Sequence, residues 1–82
     1  MEERTIDING KSIKVKEVLF VETFSENSSA LFKEIGYAPT MLILATELTK
    51  EEVLALSRRD GFKLWKAYLE INEDADFQNP QD

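Results

Sequence analysis

The stretch from Leu48 to Phe77 constrains the fold of this chain more than any other segment, because it is typical of two consecutive helices. Thr49 lies three residues before Glu52, the spacing of a capping box in which each side chain satisfies a free backbone N–H of the other residue. This predicts a helix over about residues 50–57. The residues that we expect to face inward from this helix are Val53, Leu54 and Leu56.

The second helix of the pair is predicted to start at Gly61, with Asp60 as its N-cap, and to end at about Asn72 or Glu73. At about 100° per residue it carries two opposed apolar clusters. One cluster is Phe62, Trp65 and Leu69; the other is Leu64, Tyr68 and Ile71, with Ala67 beside it. An ordinary surface helix has a minority apolar face. Either this helix lies between two layers of its own domain, or one face meets a partner, and the sequence leaves open which.

The candidate partner-binding residues are therefore all six large apolar side chains of this helix: Phe62, Leu64, Trp65, Tyr68, Leu69 and Ile71. Arg58 and Arg59 lie at the predicted break between the two helices. They could clamp a carboxylate or a phosphate, or they could simply complement the dipole at the C-terminal end of the first helix.

A β-hairpin is predicted at the N-terminus. Asn9-Gly10 supplies the positive φ angles that a two-residue turn needs, and apolar residues alternate with polar ones on both sides of it. We predict strands at about residues 4–8 and 11–17. One face would carry Ile6, Ile8, Ile13 and Val15, and the other Lys14 and Lys16.

The middle of the chain predicts two more helices. The segment 18–24 fits neither a strand nor a helix period and could form either. A helix ending before Gly36 is then predicted, with Ser25, Asn27 or Ser28 as its N-cap and with Leu31, Phe32 and Ile35 facing the core. Another helix is predicted from Pro39-Thr40 to Glu47. It is apolar nearly all round and should form the buried centre.

These elements predict an α+β fold in which an N-terminal β-hairpin packs on a small bundle of three to four helices. No linker or internal repeat divides the chain. We therefore expect a single small domain over residues 1–77 and a frayed C-terminal tail over residues 78–82.

Composition narrows the function. The 82 residues include 16 acidic and 10 basic side chains, for a net charge of −6, which disfavours nucleic acid and anionic membranes as partners. Cysteine and histidine are absent, which excludes disulfides, thiolate nucleophiles, Cys/His zinc sites and Ser-His-Asp triads. The longest apolar run, residues 41–45, is too short to span a bilayer. We expect a soluble cytosolic protein that is not an enzyme and has no catalytic residue, cofactor or metal.

The order of several short motifs resembles a known family. The motifs are ING with the following Lys11, then VKEVL from Val15, LTKEEVLAL from Leu48, DGFKLWKAYLEIN from Asp60, and the pair Asp76-Phe77. Over residues 5–77 they resemble the tail assembly chaperones of tailed phages, especially the Mu-like group. Residues 25–46 carry no motif matching that family.

The resemblance implies a small non-enzymatic viral protein that binds the tape measure protein and helps recruit tail tube subunits in the bacterial host cytoplasm. It transfers no binding residue to this chain. A competing hypothesis is a small acidic inhibitor that mimics nucleic acid and blocks a host protein, but the carboxylates here are mostly terminal and interspersed with lysines. Self-association into a homo-oligomer would be another way to bury the second apolar face of the last helix.

Overall fold

The computed structural model describes residues 2–73. An antiparallel hairpin, β1 (Glu3–Ile8) and β2 (Lys11–Lys16), precedes helices α1 (Phe20–Thr23), α2 (Glu26–Ile35), α3 (Tyr37–Ala45), α4 (Lys50–Leu54) and α5 (Arg58–Asn72). The predicted α+β class with an N-terminal hairpin is confirmed, and the described part has five helices, two of them one turn long. The predicted domain end at residue 77 and the predicted tail at 78–82 lie outside the described residues.

The hairpin has the predicted turn and faces. Asn9 and Gly10 have φ angles of 53° and 82°, the left-handed conformation that a tight hairpin turn requires. Ile6 pairs with Ile13 across the strands, so the even-numbered apolar residues of β1 share a face with the odd-numbered ones of β2. Burial is nearly complete for the inward residues Ile8, Ile13 and Val15, whereas Ile6 is half-buried.

Helix α5 lies at the centre of the packing, because it contacts both strands of the hairpin and also α3. Together with α4, these elements enclose one hydrophobic core. Its buried members are Ile8, Ile13, Val15, Met41, Leu42, Ala45, Val53, Leu64, Ala67, Tyr68 and Ile71. Helix α3 contributes Met41, Leu42 and Ala45, in agreement with the prediction that this segment is buried.

Helix α2 ends at the predicted residue. The Ser25 hydroxyl caps it by accepting a hydrogen bond from the Ser28 N–H at 3.1 Å, and Gly36 ends it with a φ of 89°. Of the side chains expected to face the core, Phe32 packs against it, and the other two are half-buried. Helix α3 begins at Tyr37, two residues before Pro39. The proline is tolerated in the first turn, because the N–H that it lacks would have no partner within the helix there.

Two expectations for the helix pair were wrong. Helix α4 is a single turn that buries Val53, and Leu54, rotated by about 100° from it, is 53% exposed. Asp60 is not the N-cap of α5: the Ser57 hydroxyl accepts the Asp60 N–H at 3.1 Å, and the helix starts at Arg58. Arg58 and Arg59 therefore open α5 instead of closing α4.

The predicted capping box at Thr49 is present. The Glu52 carboxylate accepts the Thr49 N–H at 2.8 Å, and the Thr49 hydroxyl accepts the Glu52 N–H at 3.1 Å. The bond from the Thr49 backbone, followed by the nearby Lys11 ammonium, holds the pKa of Glu52 below its ordinary value.

This lowered pKa predicts a pH dependence. A carboxyl whose pKa is lower in the folded state stabilises that state above its unfolded pKa, and the contribution is lost as pH falls through the folded pKa. We expect wild type to resist urea better than Glu52→Gln at neutral pH, and the difference in urea midpoint to shrink as pH falls through the carboxyl range. A difference that stays constant from pH 7 to pH 3 would contradict this role of the charge.

Candidate partner-binding site

One of the two predicted faces of α5 belongs to the core. Leu64 is 0% exposed, Tyr68 2% and Ile71 8%, because this side of the helix packs on the hairpin and on α3. Burial also raises the pKa of the Tyr68 hydroxyl, which keeps it protonated. These three residues are thus removed from the set of accessible candidates, although the sequence placed them in it.

The opposite face of α5 is partly open. Phe62 is 55% exposed, whereas Trp65 and Leu69 are half-buried and pack against the edge of the core. The accessible apolar surface of α5 is therefore concentrated near the N-terminal end of the helix, around Phe62.

Phe62 borders an apolar groove, which we call the α3–α5 groove. Its volume is about 300 Å³. Two of the residues that line it, Leu42 and Val53, belong to the buried hydrophobic core. The full lining consists of Ala38, Pro39, Leu42, Val53, Leu56, Ser57, Arg58, Gly61, Phe62 and Trp65. Helices α3 and α5 and the α4–α5 connection thus form a concave, mainly apolar surface that is open to solvent.

A chain of aromatic contacts holds Trp65 in place at this groove. Its ring stacks on Tyr68 with centroids 4.7 Å apart and lies perpendicular to the ring of Tyr37 with centroids 5.8 Å apart. Tyr37 stacks in turn on Phe32 at 5.8 Å. Because Tyr68 is fixed in the core, these contacts orient one wall of the groove before any partner arrives.

Arg58 lies at the mouth of the groove. Its guanidinium carbon is 4.9 Å from the centroid of the Phe62 ring, a distance typical of a cation–π contact. Arg58 and Arg59 are the first two residues of α5. The interpretation of this pair as cations that complement the dipole at a helix C-terminus was therefore wrong.

A second apolar patch, which the sequence did not single out, lies on α1. Its residues are Leu19, Phe20, Val21 and Phe24, with exposed fractions of 49%, 82%, 71% and 66%. The rings of Phe20 and Phe24 contact each other at 4.8 Å. The Val18 N–H next to this patch donates to the side chain of Asn72, so α1 lies near the C-terminal end of α5. The α3–α5 groove lies near the other end.

Other kinds of site are not seen in the described part of the chain. Over residues 2–73, no group of three or more acidic side chains is arranged to hold a metal ion. No helix in the same range has the length and apolar character needed to cross a membrane. Comparisons of the chain with protein-family models, with curated proteins and with solved structures gave no match.

Proposed function

We propose that this chain is a non-enzymatic phage tail assembly chaperone that binds an apolar segment of the tape measure protein in the bacterial host cytoplasm and helps recruit tail tube subunits. The observation that carries the proposal is the open, apolar α3–α5 groove with the exposed Phe62 on its wall. Half of the lining residues lie within the two longest motifs that resemble such chaperones, namely Val53, Leu56, Gly61, Phe62 and Trp65.

The surface chemistry suits a chaperone. A protein that shields apolar segments needs an accessible apolar surface of its own and enough net charge to remain dispersed. Phe62 and the groove supply the first, and the net charge of −6 supplies the second. Aromatic side chains held beside an apolar groove are common anchors in protein interfaces.

The arrangement of charges supports the chaperone over a nucleic-acid mimic. A mimic presents carboxylates without intervening cations, as a phosphate backbone does. Here Lys11 pairs with Glu52 at 3.7 Å and Lys14 with Glu3 at 3.5 Å. Two further acidic residues, Glu34 and Glu70, pair with Lys50 and Arg4. Cations thus interrupt the acidic surface of the described residues.

The test is co-expression with the tape measure protein, with and without the tail tube protein, followed by affinity recovery of the complex. We expect Phe62→Ser to lower the recovery about tenfold or more, because truncating a central aromatic anchor typically costs about 2 kcal/mol or more. The matched control is Phe20→Ser, which removes the same side chain from α1, where it is 82% exposed. Both variants should remain folded, because neither side chain belongs to the core.

Equal recovery of wild type and folded Phe62→Ser would contradict docking in the groove. Loss of the complex in Phe20→Ser alone would place the docking surface on α1. No recovery of wild type with either phage protein would contradict the chaperone proposal itself.

A further inference from the structure

The N-terminal half of α5 carries a local positive charge on an acidic protein. Residues 58–66 contain four basic side chains and one acidic one, Asp60, whereas the whole chain has a net charge of −6. The basic residues are Arg58, Arg59, Lys63 and Lys66. Over residues 2–73, the ion pairs involve Arg4, Lys11, Lys14 and Lys50 and none of these four. This cluster of cations is therefore not neutralised by the described part of the fold.

The helix dipole gives no reason for the first two of these cations. Arg58 and Arg59 occupy the first turn of a 15-residue helix, where the unsatisfied N–H groups and the helix dipole favour anions and disfavour cations. Asp60 in the same turn is the residue that suits this position. Two arginines in this turn are unfavourable with respect to the helix dipole, and a partner that pairs with them would offset that cost.

Arg58 lines the α3–α5 groove, and its guanidinium lies over the ring of Phe62 on the groove wall. Arg59 is the next residue of α5 and is exposed to solvent. An arginine guanidinium over an aromatic ring can still bind a carboxylate in a bidentate manner through its N–H groups. The groove is thus apolar inside and cationic at its rim.

We infer that the groove binds a polypeptide segment of defined chemistry: a bulky apolar side chain enters the groove, and one or more neighbouring carboxylates pair with Arg58 and Arg59. The inference rests on the proposed function, because it specifies the segment that the chaperone would bind. A volume of about 300 Å³ accommodates one or two large side chains. In a helical segment, an acidic residue three or four positions from the anchor would reach the rim.

Charge complementarity favours this occupant over the alternatives. A nucleic acid would meet the net charge of −6 along most of the surface, and its backbone has no apolar group for the groove. An apolar segment flanked by lysines would face the cations of α5 directly. A segment that has both apolar and acidic side chains complements the apolar lining of the groove and the positive charge beside it.

Trp65 allows a direct test, because it is the only tryptophan in the chain and lines the groove. Three synthetic helical peptides of equal length, free of Trp and Tyr, serve as probes in a titration followed by Trp65 fluorescence. The first has leucine anchors flanked by Glu, the second has the same anchors flanked by Lys, and the third has Ser in place of the anchors with Glu retained. We expect the first to change the emission and to bind at least tenfold more tightly than the other two.

The double variant Arg58→Glu, Arg59→Glu isolates the role of the rim. It should fold, since carboxylates suit the first turn of a helix, and we expect it to bind the Glu-flanked peptide at least tenfold more weakly and the Lys-flanked peptide more tightly. The matched control is Lys16→Glu, Lys33→Glu, which changes the net charge equally at sites outside the groove lining. This control should retain wild-type selectivity.

Three results would overturn the inference: equal affinity for the Glu- and Lys-flanked peptides, no binding of any peptide, or the same loss of affinity in both double variants. A change in Trp65 emission with protein concentration alone, accompanied by dimers in sedimentation, would assign the groove to a second copy and overturn it as well.

The tape measure complex is measured separately. A complex that survives the arginine substitutions refutes this inference and leaves the chaperone proposal standing. Selective peptide binding without a tape measure complex refutes the chaperone proposal alone.

Discussion

Replacing Leu64 with Glu is expected to unfold the protein, not to disable a docking surface. Leu64 is 0% exposed and belongs to the hydrophobic core. Burying a carboxylate there without a partner costs several kcal/mol, a large part of the roughly 5–10 kcal/mol by which a domain of this size is usually stable. The milder Leu64→Ala is expected to lower the free energy of unfolding by about 2–5 kcal/mol. Circular dichroism and urea titration measure both effects.

The matched control is Phe62→Glu on the same helix. Phe62 is 55% exposed, so its replacement should change the free energy of unfolding by less than about 1 kcal/mol while it alters the groove. A Leu64→Glu variant that kept native circular dichroism and a native urea midpoint would show that this side chain is not in the core. The assignment of the two faces of α5 would then have to be reversed.

The sequence did not show which of the two apolar faces of α5 is buried. The period of the last helix correctly separated Phe62, Trp65 and Leu69 from the opposite cluster, because side-chain direction along a helix is a local property. One cluster has two aromatic residues and a leucine, and the other has one aromatic residue, a leucine and an isoleucine. Because both are large and apolar, hydrophobicity does not show which of them is buried. The choice depends on where the hairpin and α3 pack, and those contacts join residues distant in the chain.

A small error in the predicted start of α5 led to the wrong position for Arg58 and Arg59 relative to the helix ends. Ser57 and Asp60 are both good N-cap residues, and only three positions separate them. With Asp60 as the cap, Arg58 and Arg59 would close one helix, where cations are favoured. With Ser57 as the observed cap, they open α5, where cations are disfavoured, and their position calls for another explanation.

The α3–α5 groove itself was beyond prediction. It combines residues 38–42 of α3 with residues 53–65, and no periodicity in the sequence relates these segments. The hairpin, in contrast, was predicted closely, because its register follows from the Asn9-Gly10 turn and from strict alternation. The ambiguous segment 18–24 has five apolar residues in no clear period, and the structure shows a short helix within it that carries an exposed apolar patch.

Asn72, the last residue of α5, connects this helix with the end of β2 and with the segment that leads into α1. Its side-chain oxygen accepts the Val18 N–H at 2.7 Å. Its amide nitrogen lies 3.3 Å from the Lys16 carbonyl oxygen and 3.2 Å from that of Tyr68, and donates to both. The last turn of α5 is thereby tied to the end of β2 and to the residues that lead into α1.

We expect Asn72→Ala to lower the free energy of unfolding by about 1–3 kcal/mol, because it leaves the part-buried Val18 N–H without its partner. Asn72→Asp should also be destabilising, because its carboxylate still accepts that N–H but cannot donate to the two carbonyls and places a negative charge beside them at the C-terminal end of α5. Urea titration gives both values, and amide hydrogen exchange at Val18 should accelerate in the alanine variant and remain slow in the aspartate variant. Equal exchange rates at Val18 in wild type and Asn72→Ala would mean that the side chain does not hold the β2–α1 connection, and that α1 and its apolar patch are positioned by other contacts.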